Sequence, residues 1–239
     1  RVYELLSGAV GTSDEYAARP AADREEPYER VTVYVGNNLA AFDEGVRENA
    51  DTVVKPAGEF WVTYAGTLGA SYDLSTLVQA AKLAEPQVSG LRVKILGDGP
   101  DRDKLTELAS SIGAPVDFLG YTPYERMAAW LAASDITVNS LVHGAAQSIV
   151  TKIGDYLAAG IPMINTGESP EFCAKVEADG FGVNVAPGNA SELTQAIVKL
   201  AAHASSRKIM GAKARGVACR QFDQAHSYQA IVELIRNLL

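Results

Sequence analysis

A lysine one turn into a helix with a serine at its head can hold an anion. In the segment 147–160, Ser148 can cap a helix whose first turn, from Ile149, presents free N–H groups. Lys152 follows one turn in, and Asp155 lies three residues beyond it on the same side. A cation near a helix N-terminus opposes the macrodipole, which makes sense if a bound anion sits there. A solvated Lys152–Asp155 surface pair, worth ~0.3 kcal/mol, is the other reading of that spacing.

A second set of residues gathers where short apolar runs end: Gly66-Thr67-Leu68, Gly97-Asp98-Gly99, Gly120-Tyr121, then Asn139-Ser140 and a loop carrying His143. Glycines along one rim let a ligand approach backbone amides, although each alone is an ordinary turn residue. The stretch 66–71 lacks the Gly-x-Gly-x-x-Gly spacing of a dinucleotide site, and no P-loop occurs, which sets aside a dehydrogenase.

These positions form a rim only if the apolar runs are strands. Strands are expected at 60–66, 91–97, 116–120, 136–140, 162–166 and 182–186. Helices are expected at 74–84, 101–111, 125–133, 149–159, 170–179 and 191–202, with a helical tail over 207–222 and 225–239. Such alternation gives an α/β fold, an open parallel sheet covered on both faces, with ligands bound beyond the carboxyl ends of the strands. The tail carries an apolar stripe, Ile231, Leu234, Ile235 and Leu238, expected to pack partly on residues 1–59. Those first residues carry 12 acidic and 6 basic groups, so they hold most of the net charge of -8. They offer strand candidates at 8–11 and 31–35, a turn at 36–38 and a polar stretch over 43–51, too little chain for a large core.

The 239 residues are 47% hydrophobic and 21% charged, which excludes disordered, collagen-like and disulfide-scaffold classes. An acidic chain with no Lys/Arg cluster is a poor nucleic-acid ligand. No apolar run approaches the ~18 residues of a membrane-spanning helix. Cys173 and Cys219 lack metal-ligand spacing and are read as buried free thiols of a reducing cytoplasm. The chain opens on Arg1 with no signal-peptide pattern, as a fragment or an upstream-processed protein would.

Taken in order, Tyr64-Ala65-Gly66-Thr67-Leu68, residues 95–100 (Ile-Leu-Gly-Asp-Gly-Pro), residues 116–120, residues 132–136 and residues 156–162 (Tyr-Leu-Ala-Ala-Gly-Ile-Pro) are familiar. From Phe60 onward the chain resembles the C-terminal, donor-binding domain of GT-B glycosyltransferases of the large retaining family four, bacterial surface-polysaccharide type. The resemblance implies a Rossmann-like domain over 60–239, with 1–59 as the remnant of an N-terminal acceptor-side domain and its linker. It implies transfer of a sugar, in hexosyltransferase fashion and with retention, from a nucleoside diphosphate sugar to a carbohydrate or lipid-linked acceptor. That acceptor would be held by the missing N-terminal domain, so the fragment alone should be inactive. No metal or cofactor is implied, and the expected location is the cytoplasm, with the inner membrane face open to the full-length protein. Donor contacts would fall on Gly66, Thr67, Leu68, Gly97, Asp98, Gly99, Gly120, Tyr121, Ser140, His143, Gln147, Ser148, Ile149, Lys152 and Asp155, with Lys152 and Gln147 the catalytic candidates.

Two departures matter. The family's Arg after the first-strand Gly and its Lys five positions on read Thr67 and Tyr72 here, so both diphosphate-holding cations are absent. The family's two Glu, for donor sugar and ribose, read Gln147 and Asp155. Lys152 would then supply the phosphate charge. A non-catalytic nucleotide-sugar or partner-binding protein, or another α/β enzyme such as a nucleotide-sugar epimerase, stands as the alternative.

Overall fold

The computed structural model describes residues 3–24, 26–145 and 149–239. The first 59 residues make two small βα units. β1 (Gly8–Gly11) leads into α1 (Asp14–Ala18), and β2 (Glu29–Thr32) pairs with β1 in parallel. The polar stretch over 43–51 belongs to a helix, α2 (Leu39–Glu48), capped where Ala41 N–H donates to Asn38 Oδ1 at 3.0 Å. Leu39 and Phe42 are buried one turn apart, while Asp43, Glu44, Arg47 and Glu48 face outward. Those four charges mask the apolar face in the sequence.

From Phe60 the expected alternation appears: β3 (Phe60–Ala65), α3 (Leu74–Ala84), β4 (Leu91–Leu96), α4 (Arg102–Ile112), β5 (Val116–Gly120), α5 (Tyr124–Ala133) and β6 (Ile136–Asn139). Then follow α6 (Ile153–Ala158), β7 (Met163–Asn165), α7 (Pro170–Asp179), β8 (Gly182–Asn184), α8 (Ala190–Ala202) and α9 (Ala204–Val217). The six strands from β3 on are parallel, in the order β5-β4-β3-β6-β7-β8. The chain moves outward from β3 to β5 and returns to lay β6 on the other side of β3, and that reversal opens a crevice beyond the ends of both strands. Every residue of β3 is buried. Wholly buried side chains such as Leu77 and Ile95 on one side of the sheet, and Leu157 on the other, contribute roughly 1.5–3 kcal/mol each, so the crevice stands on well-packed ground.

Three expectations need correction. The helix expected from Ile149 starts only at Ile153, with Lys152 in the N-cap position, and Ile153 N–H donates to Val150 O at 3.1 Å in a preceding turn. Three consecutive β-branched residues, Ile149, Val150 and Thr151, are stiff at χ1 and disfavour the earlier start. The last helix breaks at Tyr228 into α10 (Gln224–Ser227) and α11 (Gln229–Leu238), and α9 ends in a π-turn, Ala218–Phe222. The apolar stripe nevertheless packs partly on residues 1–59, as expected: Leu234 is buried toward β1 at Gly8 and the end of Leu238 also reaches Gly8, while Ile235 stays exposed. Cys219 is exposed and Cys173 half-buried, not a pair of buried thiols, because α9 turns Cys219 outward as it ends.

The chain crosses between its first part and the six-stranded sheet twice, and the crossings are stitched together. Asn37 N–H donates to Phe222 O at 2.9 Å, and Gln224 N–H donates to Asn37 O at 3.0 Å.

Candidate functional site

Beyond the ends of β3 and β4 lies a cleft of about 330 Å³ touched by Gly66, Thr67, Gly97, Asp98, Tyr121 and Thr122. It continues through Ala65 and Gly66 into a second space of about 450 Å³ bounded by Asn37, Tyr124, Lys152 and Asp155. The glycine rim is therefore real, but its amides are largely spent. Gly66 N–H donates to Leu96 O (2.9 Å), Leu68 N–H to Asp98 O (3.0 Å) and Gly97 N–H to Gly120 O (2.7 Å). Gly99 N–H donates to Asp98 Oδ1 at 2.8 Å. Leu68 is also wholly buried, so it serves the core rather than a ligand. Among the described residues the rim N–H groups of Thr67, Asp98 and Tyr121 have no partner, and that of Thr67, beside Gly66, is open to an anion. Gly97 is glycine because a Cβ there would stand 1.9 Å from Gly66 O: close packing, not ligand access, demands it. Tyr121 is 80% exposed on the opposite wall.

Lys152 occupies the joint between the two spaces. Tyr156 of α6 fixes it in place: the Tyr156 hydroxyl accepts from Ala65 N–H at 2.9 Å and donates to Ala65 O at 3.0 Å, clamping α6 to the end of β3. The Lys152 ammonium rests over the rings of Tyr64 (4.0 Å) and Tyr72 (3.7 Å) and donates to Tyr64 Oη at 2.8 Å. Tyr64 Oη in turn donates to Thr67 O at 2.8 Å. A Cβ on Gly66 would fall 2.5 Å from Lys152 Nζ, so glycine is what lets the ammonium reach the rim. No described carboxylate lies within 4.0 Å of it, which removes the Lys152–Asp155 surface pair. Withdrawal from water pulls its pKa down to about 7. Tyr72, where the resemblance expects a lysine, instead gives one of the two rings that flank the Lys152 ammonium.

Asp155 faces the other way. Its Oδ1 accepts from Asn37 Nδ2 and from Tyr124 Oη, each at 2.9 Å. Burial raises its pKa, and those two hydrogen bonds oppose the rise. Asp98 is held by Arg102, whose Nη1 donates to Asp98 Oδ2 at 3.0 Å.

The remaining expected residues divide. Ser140 is buried and donates to Asp73 O at 2.7 Å, so its hydroxyl steadies the start of α3 rather than lining the cleft. His143 is exposed, with Nδ1 2.9 Å from Glu168 Oε1, and Glu168 also accepts from Gly144 N–H at 2.8 Å. Gln147 and Ser148 lie outside the described residues, and Ile149 precedes α6 in the turn. The anion site expected at a helix head is replaced by a buried side chain, because α6 is short and begins only at Ile153, with Lys152 as its N-cap. The sequence reading missed Tyr64, Asn37 and Tyr124. Tyr64 has the look of core in an apolar strand, and Asn37 the look of turn chemistry. Among the described residues no cluster of three or more His, Cys, Asp or Glu is placed to hold a metal, and no helix is long and apolar enough to cross a membrane.

A family model described as glycosyl transferases group 1 matches residues 59–203. The lipopolysaccharide core biosynthesis glycosyltransferase LpsE of Rhizobium meliloti (strain 1021) is 27% identical over 165 residues, 68% of this chain and 45% of that protein. Among solved structures, HepE of Anabaena in complex with UDP is similar at a TM-score of 0.79 and 18% identity, over 97% of this chain and 64% of that one. WaaG, a glycosyltransferase involved in lipopolysaccharide biosynthesis, gives 0.69 at 15% identity, over 94% and 62%. At these identities the structural likeness is one of fold, a GT-B glycosyltransferase half. The chain spans about half the length of its curated relative and under two thirds of these structures.

Proposed function

The chain belongs to the group 1 glycosyl transferases, and from that membership and its cleft we propose that it forms the donor side of an enzyme moving a sugar from a nucleoside diphosphate sugar to an acceptor hydroxyl. The observation that carries the reading is Lys152, an ammonium brought to the rim of the cleft with no carboxylate of the described residues to neutralise it. Such a group is costly to keep unless an anion arrives. In this reading the diphosphate lies between Lys152 and the Thr67 amide, the base against Gly120 and Tyr121, and the ribose at Asp155. As the glycosidic bond to phosphate breaks, Lys152 stabilises the charge developing on the leaving diphosphate through a charge-assisted bond. Gln147 keeps the donor-sugar role by resemblance, and His143 touches the donor or the acceptor from its loop. Residues 60–239 are the donor domain, and 1–59 the end of an acceptor domain with its linker. HepE structures with UDP and UDP-glucose make uridine nucleotides the first donors to try. The lipopolysaccharide roles of LpsE and WaaG support a surface glycan or lipid-linked acceptor, met at the inner membrane face. Retention and hexosyl transfer follow the resembled family.

Calorimetry of residues 1–239 with UDP, GDP and ADP, and with the matching nucleosides, tests this. One diphosphate is expected to bind at least tenfold tighter than its nucleoside, about 1.4 kcal/mol. Equal binding, or none, overturns the reading. Sugar transfer by a longer chain carrying the acceptor half would separate an enzyme from a non-catalytic binder of the same fold. Turnover with a natural acceptor by residues 1–239 alone would contradict the domain division.

A further inference from the structure

Asp155 is held unusually firmly for a cleft carboxylate. Both of its hydrogen bonds fall on Oδ1, from Asn37 Nδ2 on the chain crossing and from Tyr124 Oη at the start of α5, each at 2.9 Å. No hydrogen bond from a described residue reaches Oδ2, and Asp155 borders the space it shares with Lys152 and Gly66. Asn37 is itself fixed at both backbone groups by Phe222 and Gln224. Its amide can face a carboxylate only with the Nδ2 end, which leaves its Oδ1 buried and without a partner. An orphaned buried acceptor is tolerated where the other half of the amide has work to do. The charged and titratable groups nearest to Asp155 are Tyr124 on α5, with Tyr156 and Lys152 at its own helix. Among the described residues the linker and α10 offer it the amides Asn37 and Gln224.

We propose that Asn37 and Tyr124 are positioning residues that hold Asp155 with Oδ2 turned to the ribose hydroxyls, so that the linker helps to tell ribose from deoxyribose. The proposal rests on the cleft being a nucleotide site. A ribose hydroxyl donates to an acceptor, and both fixing donors arrive at Oδ1, which aims the free oxygen and favours its ionised form.

The test is calorimetry at pH 8 on the 239-residue chain, using the tightest of UDP, GDP and ADP together with its 2′-deoxy counterpart. The wild-type chain is expected to prefer the ribonucleotide by about fivefold or more, as loss of a hydrogen bond to a charged group implies. Tyr124→Phe and Asn37→Ala should each cut that preference below about twofold while 2′-deoxynucleotide affinity stays within about twofold. Asn37→Asp keeps the shape but loses the donor and adds a like charge. It should cost at least as much preference as Asn37→Ala, whereas a space-filling role would make it the milder change. An unchanged preference in Tyr124→Phe, or equal losses for both ligands, overturns the proposal. A wild-type chain that binds diphosphates with no ribose preference also overturns it and leaves the nucleotide reading standing. Failure to bind any diphosphate overturns both.

Discussion

The two walls of the cleft are built on opposite principles. The wall at β4 and β5 is main chain: glycines packed backbone to backbone, amides consumed in holding strand ends together, and one exposed ring, Tyr121. The wall at α6 is side chain: Lys152 caged by two tyrosines and Asp155 tied to Asn37 and Tyr124. The first wall can offer shape and a stacking face but little charge. The second concentrates charge that few neighbours neutralise. A glycine-rich rim is thus a poor guide to where an anion binds when its amides already have partners, and a single buried lysine can take over the task.

Substitutions can break that contrast in graded steps. Lys152→Glu puts a like charge where the diphosphate should lie and is expected to weaken diphosphate binding by about a hundredfold or more, since like charges at close range cost several kcal/mol. Lys152→Ala should cost at least tenfold, about 1.4 kcal/mol, with nucleoside affinity nearly unchanged. Equal losses for both ligands would mean only a loosened α6. Tyr121→Ala, on the other wall, should lower nucleoside and diphosphate affinity alike, by about fivefold or ~1 kcal/mol for a lost stacking face. A loss confined to the diphosphate would erase the difference between the walls. His143→Ala, exposed and paired only with Glu168, should shift diphosphate affinity by less than about twofold, ~0.5 kcal/mol or under. All four are read by the same titrations.

Most of the fold was legible because it is periodic. Phe60 to Ala65 is a continuous apolar strand, and Leu74 to Ala84 has helical spacing that the structure reproduces. Helix α2 was not legible, because only Leu39 and Phe42 mark its buried face among charges. The site was legible in part. Lys152 stood out by its charge and Tyr121 by its place after a strand. Hydrogen-bond saturation of Gly66 and Gly97 is a property of strand neighbours that no local spacing reports. The cage around Lys152 joins residues 64, 72 and 152, and the Asp155 tie joins 37, 124 and 155, so both exist only once the sheet is assembled.

The central claim, that Lys152 carries the phosphate charge, is tested most directly by the pH dependence of diphosphate affinity. In the empty cleft its ammonium loses its proton near pH 7, because the surrounding protein withholds water. A bound anion favours the charged form, so binding above that pH takes up a proton and weakens as pH rises, by up to about tenfold per unit. Below about pH 7 the lysine is already charged and contributes no further slope. UDP titrated from pH 6 to 9 against wild type and Lys152→Met should show that fall above about pH 7 in the wild type alone. Parallel profiles for the two proteins would contradict the claim and place the diphosphate away from α6.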